Sequence, residues 1–309
     1  MAVGNITNVH TLSHISNSAL AASDDVLSQL SNVNTTPGID LLVSSPSGNV
    51  FPSFLAAQSQ NPEVSFDTTQ VLTVLTNTGV TMVDLTAQDS VLYFEKSSNL
   101  AVRAAGTVHT TLTMPNTALI CNQITAGHRT PAVASCRLLN VYDGTNAPVT
   151  IASNSAMAGT KVDAQHYVLG GVSINGAFLT DGVQSVTVDF GQEFFGGAGG
   201  LGADGTNYTT FFGINTIKPV ITIQTHNLGW ATYGLNGTAQ SAVIVYFRKI
   251  LTTGPDIDAN ATAISLTGTT GLITVDNASG GGTDAATGTI RLTQNATLVL
   301  NTTDAITAT

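Results

Sequence analysis

A chain of 309 residues is long enough for one large or two ordinary domains, and its 42% hydrophobic content supplies a substantial core and argues against disorder. Only 9% of the residues are charged, and three of the nineteen acids are glutamates (Glu63, Glu95, Glu193); the residues that cover exposed helix faces are therefore scarce, which argues against a helical protein. A net charge of −10 without a run of Lys or Arg disfavours tight binding to nucleic-acid phosphates, and no apolar run approaches the roughly 18–20 residues of a membrane-spanning helix.

The first twenty residues lack a basic stretch followed by an apolar core, so no secretory signal is expected. Residues 18–30 (SALAASDDVLSQL) place Leu20, Leu27 and Leu30 near one face and predict a short helix. Residues 35–54 are interrupted by Pro37, Pro46 and Pro52 and read as loop with room for one strand. Residues 66–79 (FDTTQVLTVLTNTG) predict a second helix, with Asp67 as N-cap, Gly79 as C-terminal stop, and Val71, Leu72 and Leu75 as its apolar stripe.

From residue 80 the pattern turns to strands. GVTMVDLT (79–86) and SVLYFEKS (90–97) predict a strand pair, followed by strands in 107–114 and 135–151, the latter with an Asp143-Gly144 turn signal. Asn175-Gly176 marks a turn inside 166–179. In VQSVTVDFG (183–191), Val186, Val188 and Phe190 fall on one side and Ser185, Thr187 and Asp189 on the other, the pattern of an antiparallel strand with one wet face. KPVITIQTH (218–226) repeats it, and SAVIVYFRKI (241–250) reads as a buried strand. Beyond Gly254-Pro255, four short strands recur (TAISLTG, GLITVDN, GTIRLT, ATLVLN), with Gly280–Gly282 dividing them into two pairs.

The stretch GQEFFGGAGGLGADG (191–205) contains a formal G-x-G-x-x-G at Gly197, Gly199 and Gly202. A dinucleotide site also needs a buried parallel strand before the glycines and a helix after them, and neither is predicted here. A mobile surface loop is the expectation. Asp189 and Glu193, four apart at a strand end, read as solvated acids rather than a glycosidase pair. Cys121, His128 and Cys136 match no zinc spacing, and the two cysteines are either free thiols or a single bridge. DIDAN (256–260) opens like a calcium loop but continues with Ala261 and Thr267 where Gly and Glu are needed. Trp230 with Tyr233 is either a contact surface or loop packing. No G-x-S-x-G or H-E-x-x-H occurs, so neither an enzyme, a cofactor nor a metal is expected.

The order of the central block is GGVSINGAFL, SVTVDFGQEF, a glycine-rich insertion, KPVITIQTHNL and SAVIVYFRK, with a helix and a strand pair upstream. Over roughly residues 60–250 this order resembles the major tail tube proteins of long-tailed bacteriophages and related injection machines. The resemblance implies a mainly β fold, an antiparallel β-sandwich or half-barrel with one or two short helices, extended loops and arms. It divides the chain into an N-terminal arm (1–55), a tube-forming domain (56–254) and a β-rich extension (255–309). It further implies hexameric rings stacked into a tube, with Asp189 toward an acidic lumen. The connectors between rings would be residues 1–55 and the 190–205 loop, with Glu193, Gly196, Gly197, Gly199, Gly200 and Gly202. The implied partners are further copies of the chain, other virion tail proteins and DNA in transit without specific binding; no membrane is involved. The chain would be made in the host cytoplasm and reside in the virion tail. A capsid or surface-lattice protein is the alternative reading, and an adhesin-like carbohydrate-binding module the third.

Overall fold

Alternating Thr/Val-rich segments satisfy their backbone groups by pairing with one another, and the resulting architecture is mainly β, with an antiparallel half-barrel sheet and, among the described residues, one short α-helix. The computed structural model describes residues 9–17, 26–81, 83–97, 109–155, 166–179, 181–198, 208–229, 236–240, 242–250, 263–280, 285–304 and 306.

The first strands are β1 (Val9–Asn17), β2 (Val26–Leu27) and β3 (Leu30–Thr36). The helix expected over 18–30 is not formed in its described part: Val26 and Leu27 pair with β1, and Leu27 is buried in the core opposite Ile15. Residues 18–25 lie outside the described residues. The segment 35–54 is not a loop with a single strand. It contributes the end of β3, then β4 (Ile39–Ser44), which pairs with β5 (Phe54–Gln60). Its three prolines are the reason both readings fit: Pro37 precedes β4, while Pro46 and Pro52 lie in the connection between β4 and β5, where a missing N–H costs nothing.

Strand β6 (Glu63–Thr68) leads into α1 (Val71–Thr78). Asp67 is not its N-cap. It belongs to β6, where its carboxylate accepts bonds from Asn32 Nδ2 (2.7 Å) and Ser135 Oγ (2.6 Å). The cap position is Gln70, whose side-chain oxygen instead accepts the backbone N–H groups of Ser28 (2.7 Å) and Gln29 (3.1 Å). Gly79 does stop the helix, at φ 61°, with its N–H on the Leu75 carbonyl. Val71, Val74 and Leu75 are fully buried against β-strands that follow.

The strand pair expected over 79–97 is one strand, β7 (Val83–Ser97), preceded by a 3-10 turn (Gly79–Thr81). Its partner β8 (His109–Gly127) runs continuously through Pro115, which sits at a register irregularity where no ladder N–H is required. A turn at His128–Arg129 leads to β9 (Thr130–Asn140), and β10 (Thr150–Ser155) then pairs with β8 rather than β9. Asp143 makes the expected turn between them: its carboxylate accepts N–H bonds from Thr145 and Asn146, both at 2.8 Å, and these bonds hold its pKa below the usual carboxylate range.

Strands β11 (Tyr167–Ile174) and β12 (Ala177–Leu179) form the hairpin signalled by Asn175-Gly176, both residues at positive φ (51° and 84°). Then follow β13 (Val183–Asp189), β14 (Gln192–Ala198), β15 (Thr209–Ile217), β16 (Val220–Thr225), β17 (Asn236–Gln240) and β18 (Val243–Lys249). The final four strands are β19 (Ala263–Gly268), β20 (Gly271–Ser279), β21 (Thr287–Gln294) and β22 (Val299–Asp304). All four were expected, but not their pairing: the glycine run at 280 lies between hairpin partners β20 and β21, and β19 pairs with β22.

The curved sheet runs β3-β6-β9-β8-β13-β16-β21-β20-β17, with β7 and β1 attached along the other half of β8. A second layer, β12-β11-β18-β19-β22, joins it through one bridge from β11 to β9. The core lies between them, with Val186, Val188, Ile221 and Ile223 from the first layer and Val172, Val245, Phe247 and Leu266 from the second. Helix α1 packs on β7, β8, β9 and β22. Strands before and after residue 254 share these sheets, since β21 pairs with β16 and β19 with β18. Truncating Phe247, which is fully buried, to Ala is expected to cost about 3–5 kcal/mol in urea unfolding. Thr125→Val on the exposed face should change stability by only about 0.5 kcal/mol.

Candidate functional site

Two pairs of strands leave the half-barrel. Among the described residues, β4–β5 and β14–β15 each form a two-stranded sheet without a further strand in it. Each continues a pair that is inside the sheet: β3 with β6, and β13 with β16. The junctions are built alike. In the first, Asn61 N–H bonds to the Gly38 carbonyl (2.9 Å); in the second, Lys218 N–H bonds to the Gly191 carbonyl (3.0 Å). Both glycines have φ near +60° (59° and 57°), and a Cβ on either would collide with the facing carbonyl oxygen of Asn61 or Lys218. Both returning strands re-enter through a buried proline, Pro62 or Pro219, whose carbonyls accept N–H bonds from Asn140 and Gln294. The glycine lets the ribbon turn sharply, and the proline limits the backbone choices of the return.

Both ribbons run away from the turn of the β8–β9 hairpin at His128–Arg129 but start at different levels: the junction residue Glu63 stands opposite Leu139, at the far end of the hairpin, and Asp189 stands opposite Gln123, nearer the turn. The far end of the second ribbon touches the base of the first. The Tyr142 N–H bonds to the Thr209 carbonyl (2.7 Å), Tyr142 packs on Tyr208 at 4.7 Å, Tyr208 bridges to Gln60, and the Thr209 hydroxyl donates to Asn61 Oδ1.

The surfaces of the ribbons differ from the rest of the chain. In β4–β5 and its connection, Ile39, Leu41, Leu42, Val43, Phe54 and Leu55 are exposed, and Val50 (89%) and Phe51 (79%) at the tip are almost fully so. Asp40 is the single charged residue in 37–60, and it is held by Ser59 Oγ at 2.8 Å. In β14–β15, Phe194 stacks on Phe212 (4.7 Å) and Phe195 packs on Phe211 (5.4 Å). Phe195 and Phe211 face solvent, while the Arg137 guanidinium lies over the Phe194 ring at 4.8 Å. A cleft of about 310 Å³ opens under this ribbon, lined by Asn61, Glu63, Arg137, Phe194, Phe195 and Phe212.

The expected mobile loop is thus, in its first part, a strand. Gly196 and Gly197 are in β14 opposite Phe212 and Phe211, and the Phe195 ring covers Gly213, so the glycines leave room for aromatic rings across the ribbon. Gly197 sits in an antiparallel strand, without the geometry of a phosphate loop. Gly199, Gly200, Gly202, Trp230, Tyr233 and 256–260 lie outside the described residues.

Asp189 and Glu193 are separated by the Gly191 junction and do separate things. Asp189 Oδ1 accepts the Gly191 N–H (2.8 Å), fixing the turn, and Glu193 Oε2 accepts the Thr216 hydroxyl (2.8 Å) within the ribbon. Both are exposed. Asp189 shares the wet face of β8, β13, β16 and β21 with Thr125, Thr187, Thr222, Gln224 and Arg291. Cys121 and Cys136 are opposed and buried, whereas His128 is exposed at the hairpin turn, and no cluster of three metal-ligating residues exists among the described residues. Sequence reasoning missed Gly38, Asn61, Arg137 and the phenylalanine pairs. The signal that marks the junctions is the recurrence of a glycine near one strand end and an X-Pro at its partner's start.

No protein-family model matches the chain, and no curated protein is significantly similar to it.

The junctions make a direct prediction. Gly38→Ala and Gly191→Ala each force the backbone away from a carbonyl at a strained φ, costing about 1–3 kcal/mol. Hydrogen exchange should rise in β4–β5 for the first and in β14–β15 for the second, with the core strands protected in both.

Proposed function

We propose that this chain is a virion structural protein that self-assembles into stacked, hexameric rings, forming a tail tube through which DNA passes. The observation that carries the reading is the pair of ribbons that leave the half-barrel in one direction, away from the β8–β9 turn, with large exposed apolar side chains on a charge-poor chain. Contiguous exposed apolar surface of this kind marks an interaction site. Two-stranded ribbons with open edges are also templates for further strand pairing. Sending both the same way along the sheet gives the subunit a direction, which suits head-to-tail stacking of copies.

The half-barrel with α1 packed on it supports the same reading, because neighbouring subunits can extend such a curved sheet into a closed ring. In this arrangement the Thr- and Gln-rich wet face bearing Asp189 turns toward the channel. A net charge of −10 lets phosphates slide past without adhering. Other copies bury the ribbons, and other tail proteins cap the ends of the tube.

Negative-stain microscopy of the purified protein at rising concentration tests this. Hollow tubes or stacked rings are expected. Shells or flat lattices would favour a capsid or surface-lattice protein, and a strict monomer at all concentrations would sink both. Phe51→Asp at the exposed tip should abolish assembly while changing the stability of the isolated chain by only about 0.5 kcal/mol.

A further inference from the structure

The chain has two cysteines, and the fold sets them against each other. Cys121 on β8 and Cys136 on β9 are directly opposed partners across the ladder, so their side chains leave the sheet on the same face. Both are buried in the core, at 0% and 2% exposure, and both are free thiols. Phe66 on β6 flanks Cys136 on its other side, and α1 packs over both strands. The neighbouring Cys121 thiol, together with burial, pushes the Cys136 thiol well above its ordinary pKa, and the Cys121 thiol donates to the Gln123 carbonyl at 3.9 Å.

We propose that Cys121 and Cys136 form an oxidation site that closes into an intrachain disulfide stapling β8 to β9, with a small-molecule disulfide such as oxidised glutathione as the oxidant. Directly opposed antiparallel residues hold their Cβ atoms roughly 4.5–5.5 Å apart, and a disulfide takes roughly 3.5–4.5 Å, so closure needs a local movement of about 1 Å. The ladder provides for it: the register already shifts between Cys121 and Gln123, immediately beside the site. No other cysteine in the chain competes.

The chemistry balances in two exchanges. One cysteine thiolate attacks a sulfur of oxidised glutathione, giving a mixed disulfide and one glutathione thiolate, which takes up the released proton. The second cysteine thiolate then attacks the protein sulfur of the mixed disulfide and expels the second glutathione, which takes the second proton. The two thiols lose two electrons, and one oxidised glutathione becomes two reduced ones.

Burial and the raised thiol make this a slow, one-way event in the folded chain. The mixed disulfide needs the core open, so oxidation accompanies folding or a local opening of β8 from β9. Once the core closes, the bond is shielded from reductants. Its stabilising effect acts by shortening the loop that the unfolded chain can explore.

The test is refolding of the full chain in oxidised or in reduced glutathione, followed by alkylation under denaturing conditions, intact mass and thermal melting. The expected product in oxidised glutathione has no alkylatable thiol and a mass lower by two hydrogens, with Tm raised by roughly 5 °C over the reduced chain. The Cys121→Ala/Cys136→Ala chain should melt at the same temperature in both buffers. Two alkylatable thiols after oxidative refolding would overturn the proposal, as would disulfide-linked dimers, a stable glutathione adduct, or a closed disulfide that does not raise Tm. The wild-type measurements decide the question even where the double variant does not fold.

Discussion

The ladder along β8 is the constraint on which the rest of the molecule hangs. A strand of 19 residues in the interior of a protein carries a backbone donor and acceptor at nearly every position, and each must be satisfied. No single neighbour spans it. β7 and then β13 follow one another along one edge, and β10 and then β9 along the other. Because β8 passes from one set of neighbours to the next, it fixes the register of β7 and β13 relative to each other, although they never pair. The helix, the second layer and both ribbons take their positions from strands that β8 orders.

The ribbons show how a local backbone feature sets a surface property. Gly38 and Gly191 turn the chain out of the sheet plane, and Pro62 and Pro219 bring it back. Between those points the strands of each ribbon pair with each other, and Phe195 and Phe211 stay exposed while Phe194 on the other face meets Arg137. The contacts of Tyr142, Tyr208, Thr209 and Asn61 tie the far end of the second ribbon to the base of the first.

Much of the strand content was legible because period-two alternation is a local signal. Val186 and Val188, and Ile221 with Ile223, are fully buried as their spacing requires, and Asn175-Gly176 makes its turn. What could not be read were partners. The 18–30 segment has helical spacing, yet Val26 and Leu27 pair with β1, because a strand edge and a core site outweigh a weak propensity. The glycines of 196–197 look like flexibility until Phe211 and Phe212 are seen across from them. Of the candidate site, the stretch around Asp189 and Glu193 was visible in the sequence, and it forms the base of the second ribbon. The first ribbon was hidden by its prolines, which mark the ends of strands that composition alone cannot distinguish from loop.

The position of β21 and β19 bears on the order of events during synthesis. They cover the open edges of β16 and β18, and both follow residue 262, after the strands they cover. A ribosome-bound intermediate ending near residue 254 would carry two uncapped, valine- and isoleucine-rich edges at once. Non-local closure of this kind is slow, and open edges recruit other chains while they wait. Residues 263–294 thus act as a latch of the fold, and a nascent chain is protected from premature edge-to-edge pairing only once they have been made.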